Sequence, residues 1–215
     1  MQYSDYQPGL DCQIAGLQGV LAGVLGLRDD GMFVEVGAHD GKSWSNTYQL
    51  ACAGWRGIYI EPISELYQRC VENHSNHPNV ICVQAFVAAE DDEAVAMYLT
   101  DGIYTGDLTF VHGNRQPLMV AQTRKLDSIL AEHSVIRRAI DLLVIDVEGY
   151  EPHVLSGFSI DHYLPHLVII EAHRYHSDPR YSKNAGQIGQ YFIDHGYVRI
   201  YADAINDIYL VGGIL

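Results

Sequence analysis

The stretch Met32-Phe33-Val34-Glu35-Val36-Gly37-Ala38-His39-Asp40-Gly41 decides how this chain folds. Its first five residues are apolar apart from one acid, as a strand buried on both faces requires. Gly37 ends the run, and a second glycine at Gly41 lets the turn backbone approach a neighbour without a Cβ in the way. Working outward, Trp44 to Ala53 reads as a helix that closes at Gly54, and Gly57 to Ile60 as a second strand. Ser64 to Asn73 reads as a helix with Ser64 as N-cap, and Val80 to Val83, or as far as Val87, as a third strand. Upstream, Leu10, Ile14, Leu17, Leu21, Val24 and Leu25 recur at helical spacing behind Asp11, a candidate N-cap. Such alternation predicts an α/β protein with a parallel sheet covered by helices on both faces.

Farther along, Ala94 to Leu99 reads as a short extra strand, and Thr100 to Thr123 as a polar excursion of the kind that forms lids or substrate loops. Asp127 is placed as the N-cap of the next helix. Leu142 to Ile145 is a strand ending at Asp146, followed by a helix around Pro152 to Leu155 that Gly157 stops. Leu167 to Ile170 is a strand ending at Glu171. A second polar stretch, His173 to Asn184, precedes a helix from Gly186 to His195, and Val198–Tyr201 with Ile208–Val211 forms a terminal hairpin. With no repeat, charge block or Pro/Ser-rich linker, residues 1–215 are expected to form one domain. Residues 1–30 are then an apolar helical segment that packs on the core, or on a second copy in a homodimer.

Hydrophobic residues at 48% and charged ones at 19% fit a folded protein and exclude a disordered one. Thirteen Lys and Arg against 27 acids leave a net charge of -14, which disfavours nucleic acid as a partner. The apolar run Ile14 to Leu27 is too short to span a bilayer and lacks the flanks of a secretory signal, so no membrane partner and a cytoplasmic location are expected. The four cysteines, Cys12, Cys52, Cys70 and Cys82, form no CxxC pair and are expected to pack as small hydrophobes.

In open α/β sheets, ligands bind beyond the carboxyl ends of the strands. The turn after Glu35 has the spacing GxxxG and not the dinucleotide fingerprint GxGxxG. Glu35 in the same crevice repels a pyrophosphate and attracts a cationic group, such as an amino group or a sulfonium. Glu61, in Ile60-Glu61-Pro62, ends the second strand where an acid accepts ribose hydroxyls of an adenosine. Asp146 and Glu171 end two successive strands, so adjacent parallel strands bring them to one rim together with His173. Those groups suit a divalent ion such as Mg2+ or Mn2+, which lowers the pKa of a bound hydroxyl. Without a metal, His173 is the natural general base. The plain alternative is that Asp146 and Glu148 cap the following helix while Glu171 pairs with Arg174 or Arg180. His74, His77, His133, His162, His166 and His195 read as solvated or capping, whereas His173 and His176 open a loop beyond a strand rim. Gly102, Tyr104, Asp107, Tyr175 and Tyr181 are candidate substrate walls, since aromatic faces with polar tips suit sugars and polyketides.

The segments Glu35 to Gly41, Ser45-Asn46-Thr47, Gly54-Trp55-Arg56-Gly57, Ile60-Glu61-Pro62, Ile145-Asp146-Val147-Glu148-Gly149-Tyr150-Glu151 and Val154-Leu155-Ser156-Gly157 together resemble FkbM-type methyltransferases. The likeness runs from about Gly31 to Val211, and the Asp-Val-Glu-Gly-Tyr-Glu stretch is its most specific part. It implies a class I Rossmann-like methyltransferase fold: a mostly parallel seven-stranded sheet with an antiparallel last strand. It also implies S-adenosyl-L-methionine as donor and O-methylation of a hydroxyl on a sugar, glycan, polyketide or related small-molecule substrate. Carried over by motif, Glu35, Gly37, Ala38 and Gly41 hold the methionine moiety, Glu61 holds the ribose, and Asn46 lies beside the donor. Asp146 faces the methyl group, and Asp146, Glu171 and His173 match the places of metal ligands in related metal-dependent O-methyltransferases. This chain has His39 where many relatives carry asparagine, and Glu171-Ala172-His173 in place of an Asp-Asp or Asp-Asn pair. Two rival readings share the strand and glycine turn: an NAD-dependent oxidoreductase, and a non-catalytic interaction module on the S-adenosylmethionine fold.

Overall fold

In the computed structural model, which describes residues 14–26, 28–100, 103–107, 111, 116–174 and 179–213, the first apolar run is strand β1 (Met32–Val36), buried at all five positions. It pairs in parallel with β2 (Arg56–Ile60) on one side and β8 (Leu142–Ile145) on the other. Next to β2 lies β3 (Val80–Val83), and next to β8 lies β9 (Leu167–Glu171), both parallel. The hairpin β10 (Tyr197–Ala202) and β11 (Asn206–Val211) completes a seven-stranded sheet of order β10-β11-β9-β8-β1-β2-β3. β11 is antiparallel to both its neighbours. The expected mostly parallel α/β sheet with its antiparallel final strand is therefore what forms.

Alternate residues of the strands feed two cores. On one face, Phe33, Leu142, Val144, Leu167 and Ile169 pack under α1 (Leu17–Leu25), α2 (Tyr48–Cys52) and Cys70 of α3 (Ser64–Asn73). Leu17, Leu21 and Leu25, one helical stripe, are all buried there, so the apolar face of α1 lies on the chain's own sheet. On the other face, Val34, Val36, Leu143, Ile145, Val168 and Ile170 meet α4 (Leu126–Glu132), α5 (Glu151–Ser156), α6 (Ile160–Tyr163) and α7 (Pro179–Asp194). Burying such side chains contributes about 1.5–3 kcal/mol each, so the two faces hold most of the fold's stability. Among the described residues no helix is long and apolar enough to cross a membrane.

The main departure from expectation is a second sheet. The excursion Thr100 to Thr123 contains β6 (Ile103–Thr105) and the start of β7 (Met119–Arg124). These join β4 (Phe86–Val87) and β5 (Ala94–Thr100) in the order β4-β7-β5-β6. β7 turns Ala121 and Thr123 inward and Val120 and Gln122 to solvent, so one polar face hides its strand character. The third strand stops at Val83, and Phe86 and Val87 pass to the second sheet.

Helix boundaries shift as well. α2 starts only at Tyr48, because Trp44 sits at φ 62, outside helical space, and Ser45 Oγ accepts the Tyr48 N–H at 3.0 Å. Ile63, not Ser64, occupies the N-cap position of α3, and Lys125, not Asp127, that of α4. Asp127 instead takes the N–H and hydroxyl of Ser159, tying α4 to the start of α6. α7 begins at Pro179, so the later part of the second polar stretch is helix, its polar residues forming the solvent side. The Asp11 cap, Leu10, Cys12, Gly102, Tyr175 and His176 lie outside the described residues.

Candidate active site

Because β1, β2 and β8 run parallel, their carboxyl ends reach one rim, where they border a cleft of about 320 Å³. This volume is in the range of small-ligand sites. Glu35, Gly37, Ala38, Glu61 and Asp146 all line it, each at or just past a strand end.

Glu61 is held on both oxygens. Oε2 accepts the His39 N–H at 2.9 Å and Oε1 the Ile63 N–H at 2.8 Å, so the carboxylate is fixed in orientation and each oxygen keeps a lone pair. Burial pushes its pKa up to about 7 against these two donors. Glu35 is also buried, and its Oε2 accepts hydroxyl hydrogen bonds from Ser45, at 2.9 Å, and from Thr47. Burial raises Glu35 to about 7, with the neighbouring Asp146 charge a smaller contribution.

The turn between these acids has a definite polarity. The N–H groups of Gly37 and Ala38 both donate to the Ile60 carbonyl, at 3.0 and 3.1 Å, and that of His39 goes to Glu61. Three successive donors are thus committed inside the protein. The site does not present the fan of free N–H groups that cradles a phosphate.

The two turn glycines have different tasks. Gly37, at φ 84, packs so closely on β8 that a Cβ would sit 1.7 Å from the Asp146 carbonyl oxygen. Gly41, at φ 68, lies apart from the cleft lining and faces α3, where a Cβ would sit 2.6 Å from Cys70 Sγ. Its carbonyl accepts the Nε2–H of His74 at 2.7 Å; that histidine is buried at the end of α3 and stacked on Tyr59, not solvated. Burial lowers His74 to about 4, so it is neutral. Asn46 is buried too; its backbone N–H supports Glu35, while the flanking Ser45 and Trp44 line the cleft.

The far wall comes from the second sheet. Phe86 of β4, Met97 of β5 and Tyr104 of β6 face the cleft, with Tyr150 packed edge-on against Phe86 at 5.0 Å. Tyr104 was an expected wall residue. Asp107 stands outside the lining, and Tyr181 is buried against His173 at a ring distance of 4.7 Å.

Beyond Asp146 the rim turns into a group of acids. Glu171 Oε1 lies 2.8 Å from His173 Nε2, and Glu148, Glu171 and His173 bring one potential ligand atom each to within 4.8 Å of one another. Glu171 Oε2 is buried without a hydrogen-bond partner among the described residues. Burial, then the Asp146 charge, pushes Glu171 well above the usual carboxylate range. Glu148, at φ 54, is raised to about 7 by burial and by Asp146. Glu151, not Asp146 or Glu148, caps the following turn by accepting the N–H groups of Val147 and Gly149 at 3.1 Å. Arg174 binds Asp207 and not Glu171.

The structure therefore gathers Glu35, Gly37, Ala38, Glu61 and Asp146 around one cleft, and Glu171 with His173 just behind it. The sequence reading missed Glu148 as a member of the acid group, although it lies inside the quoted Asp-Val-Glu-Gly motif. It also missed Trp44, Phe86 and Met97, which carry no chemical signature and are recognisable only through the path of the chain.

Several solved structures share this architecture. The precorrin-6Y C5,15-methyltransferase from Geobacter metallireducens superposes with a TM-score of 0.54 at 12% identity, over 97% of this chain and 94% of that one. A putative caffeoyl-CoA O-methyltransferase from Staphylococcus aureus gives 0.53 at 13% identity, over 93% and 85%. A SAM-dependent methyltransferase from Aquifex aeolicus gives 0.51 at 11% identity, over 90% and 87%. At these identities the likeness is one of fold, the class I Rossmann-like methyltransferase fold. Comparison with curated proteins yields no significant sequence match. The sequence pattern described as the methyltransferase FkbM domain matches residues 35–199, from Glu35 at the cleft to the hairpin strand β10, and the chain belongs to that methyltransferase family.

Proposed function

We propose that this protein transfers a methyl group from S-adenosyl-L-methionine to a hydroxyl of a sugar, glycan or related natural product. The observation that carries the donor half is the polarity of the cleft. Glu35, Glu61, Asp146 and Glu148 line it, no Lys or Arg does among the described residues, and the N–H groups of residues 37–39 are all committed inward. A cationic adenosine compound fits such a lining, whereas the pyrophosphate of a dinucleotide meets carboxylates and no donors.

S-adenosyl-L-methionine, when bound, supplies a methyl group made electrophilic by its sulfonium. Glu61 offers one lone pair on each oxygen to the two ribose hydroxyls, already aimed by the His39 and Ile63 N–H groups. Glu35 offers negative charge to the amino group from within the buried end of the cleft. Asp146 is the rim carboxylate positioned to take the proton of an acceptor hydroxyl. His173 lies outside the cleft lining with Nε2 2.8 Å from Glu171 Oε1, and Glu171 in turn feels the charge of Asp146. The aromatic wall of Phe86, Tyr104 and Tyr150 excludes water and offers flat faces to a sugar or polyketide ring. Holding donor and acceptor in line supplies much of the acceleration such a transfer needs.

The buried, unpartnered Glu171 Oε2 supports a second element: Glu148, Glu171 and His173 have the oxygen and imidazole donors to hold a divalent ion. Such an ion supplies Lewis acidity toward a hydroxyl at the rim.

Calorimetric titration of the purified chain with S-adenosyl-L-homocysteine and with NAD, followed by a screen of sugar hydroxyls for methyl transfer, tests the proposal. Micromolar binding of the former and methylated sugars support it. Tight NAD binding favours an oxidoreductase, and donor binding with no transfer to any hydroxyl favours a non-catalytic module.

A further inference from the structure

The thiols of Cys70 and Cys82 lie in contact, Sγ to Sγ 3.4 Å, one on α3 and one on β3, the strand that follows it. Cys70 is buried on α3, and Cys82 is partly exposed on β3, the outermost strand of its sheet. Neither lines the cleft, and no step proposed above uses them. Either sulfur can donate to the other, and Cys82, the more exposed of the two, is the one that a small molecule reaches first.

The same Cys70 sulfur props the donor turn. It fills the space a Gly41 side chain would need, 2.6 Å from the position of its Cβ. The Gly41 N–H in turn donates to the Ala38 carbonyl at 2.8 Å, and Ala38 and His39 form part of the cleft.

We propose that Cys70 and Cys82 form a reversible dithiol–disulfide modification site, oxidised by low-molecular-weight disulfides, whose closure draws the Cys70 sulfur off Gly41 and weakens donor binding. In the first step the Cys82 thiolate attacks one sulfur of the small disulfide and expels a thiolate, leaving a mixed disulfide on Cys82. Cys70 then attacks Cys82 Sγ, its proton passing to the second small thiol as that group leaves. The protein loses two hydrogens, and the small disulfide is reduced to two thiols. The sulfurs must close from 3.4 Å to a bond of about 2.05 Å. The effect on binding rests on the donor reading above; the cross-link does not.

The test treats the full chain with oxidised glutathione, digests it without reductant and maps the peptides by mass spectrometry. A peptide pair joined at Cys70 and Cys82, lighter by two hydrogens and released by dithiothreitol, is expected. Glutathione found only as a single adduct, or only on Cys52, would overturn the site. Calorimetry with S-adenosyl-L-homocysteine should show affinity lower by about threefold or more in the oxidised chain, and no change on oxidant treatment of Cys82→Ala. Equal affinities of reduced and oxidised chains would overturn the coupling. A reduced chain that ignores S-adenosyl-L-homocysteine yet cross-links would sink the donor reading, and the coupling with it, while the cross-link stood.

Discussion

Gly37 and Asp146 meet backbone to backbone: the space a side chain on Gly37 would occupy is filled by the Asp146 carbonyl oxygen, 1.7 Å from an ideal Cβ. The Asp146 N–H also donates to the Val36 carbonyl at 3.0 Å, so the ends of β1 and β8 are locked where the acids gather. Gly37→Ala adds a collision with main chain to an unfavourable positive φ, and a loss of about 3 kcal/mol or more is expected. Urea denaturation measures it, and a change below 1 kcal/mol would show that the two strand ends can separate freely.

Glu61→Gln replaces one acceptor oxygen by an NH2 that faces the His39 or the Ile63 N–H. One buried backbone donor is orphaned and one ribose acceptor is lost. Affinity for S-adenosyl-L-homocysteine is expected to drop by about 30-fold or more, equivalent to roughly 2 kcal/mol. Unchanged affinity in calorimetry would remove Glu61 from the donor site.

Glu35 supplies a pH signature. Its carboxyl is raised to about 7 by burial, so folding favours the protonated form. The stability this gives is complete below the unfolded value near pH 4.3 and is lost as pH rises through 7. Glu35→Gln, which keeps an acceptor for Ser45 and Thr47, should therefore gain up to about 3 kcal/mol over the parent at pH 8 and almost nothing at pH 4. Binding of a cationic donor runs the other way: it should tighten between pH 6 and 8 in the parent and less steeply in the variant, where only Glu61 and Glu148 still ionise over that range. Parallel pH profiles of parent and variant, in melting and in calorimetry, would contradict both statements.

Asp146→Asn leaves the shape of the rim and removes its charge. Donor binding is expected within about threefold of the parent, while turnover falls by about 100-fold, the lower range for loss of a general base. A variant with full turnover would take Asp146 out of the mechanism.

Mn2+ is expected to raise the melting temperature of the parent chain by a few degrees, through linkage to the folded state. His173→Ala and Glu148→Gln should lose that gain, and EDTA should reverse it. No shift at millimolar Mn2+ would leave the group of acids as a purely protonic arrangement.

Where an apolar run stops at an acid, both the strand and its functional end are legible in the sequence, as at Glu61, Asp146 and Glu171, while Glu35 sits one residue before the end of its run. The terminal hairpin was readable for the same reason, its two runs being separated by a short polar connection. The second sheet was not, because β7 carries Gln122 and Thr123 in a strand with one wet face, and β4 has only two residues. Trp44 breaks the expected start of α2 through a positive φ that residue type does not announce. The role of Gly41 was misplaced for a related reason: a glycine signals close approach, but only the packed chain shows that Cys70 and His74 are what approach it.

The place of β11 between β9 and β10 has a consequence for how the molecule is made. Until residues 206–211 leave the ribosome, β10 has no strand beside it and the outer edge of β9 stays open. A chain that has folded its earlier strands therefore carries an unpaired border on β9 until β11 adds to it.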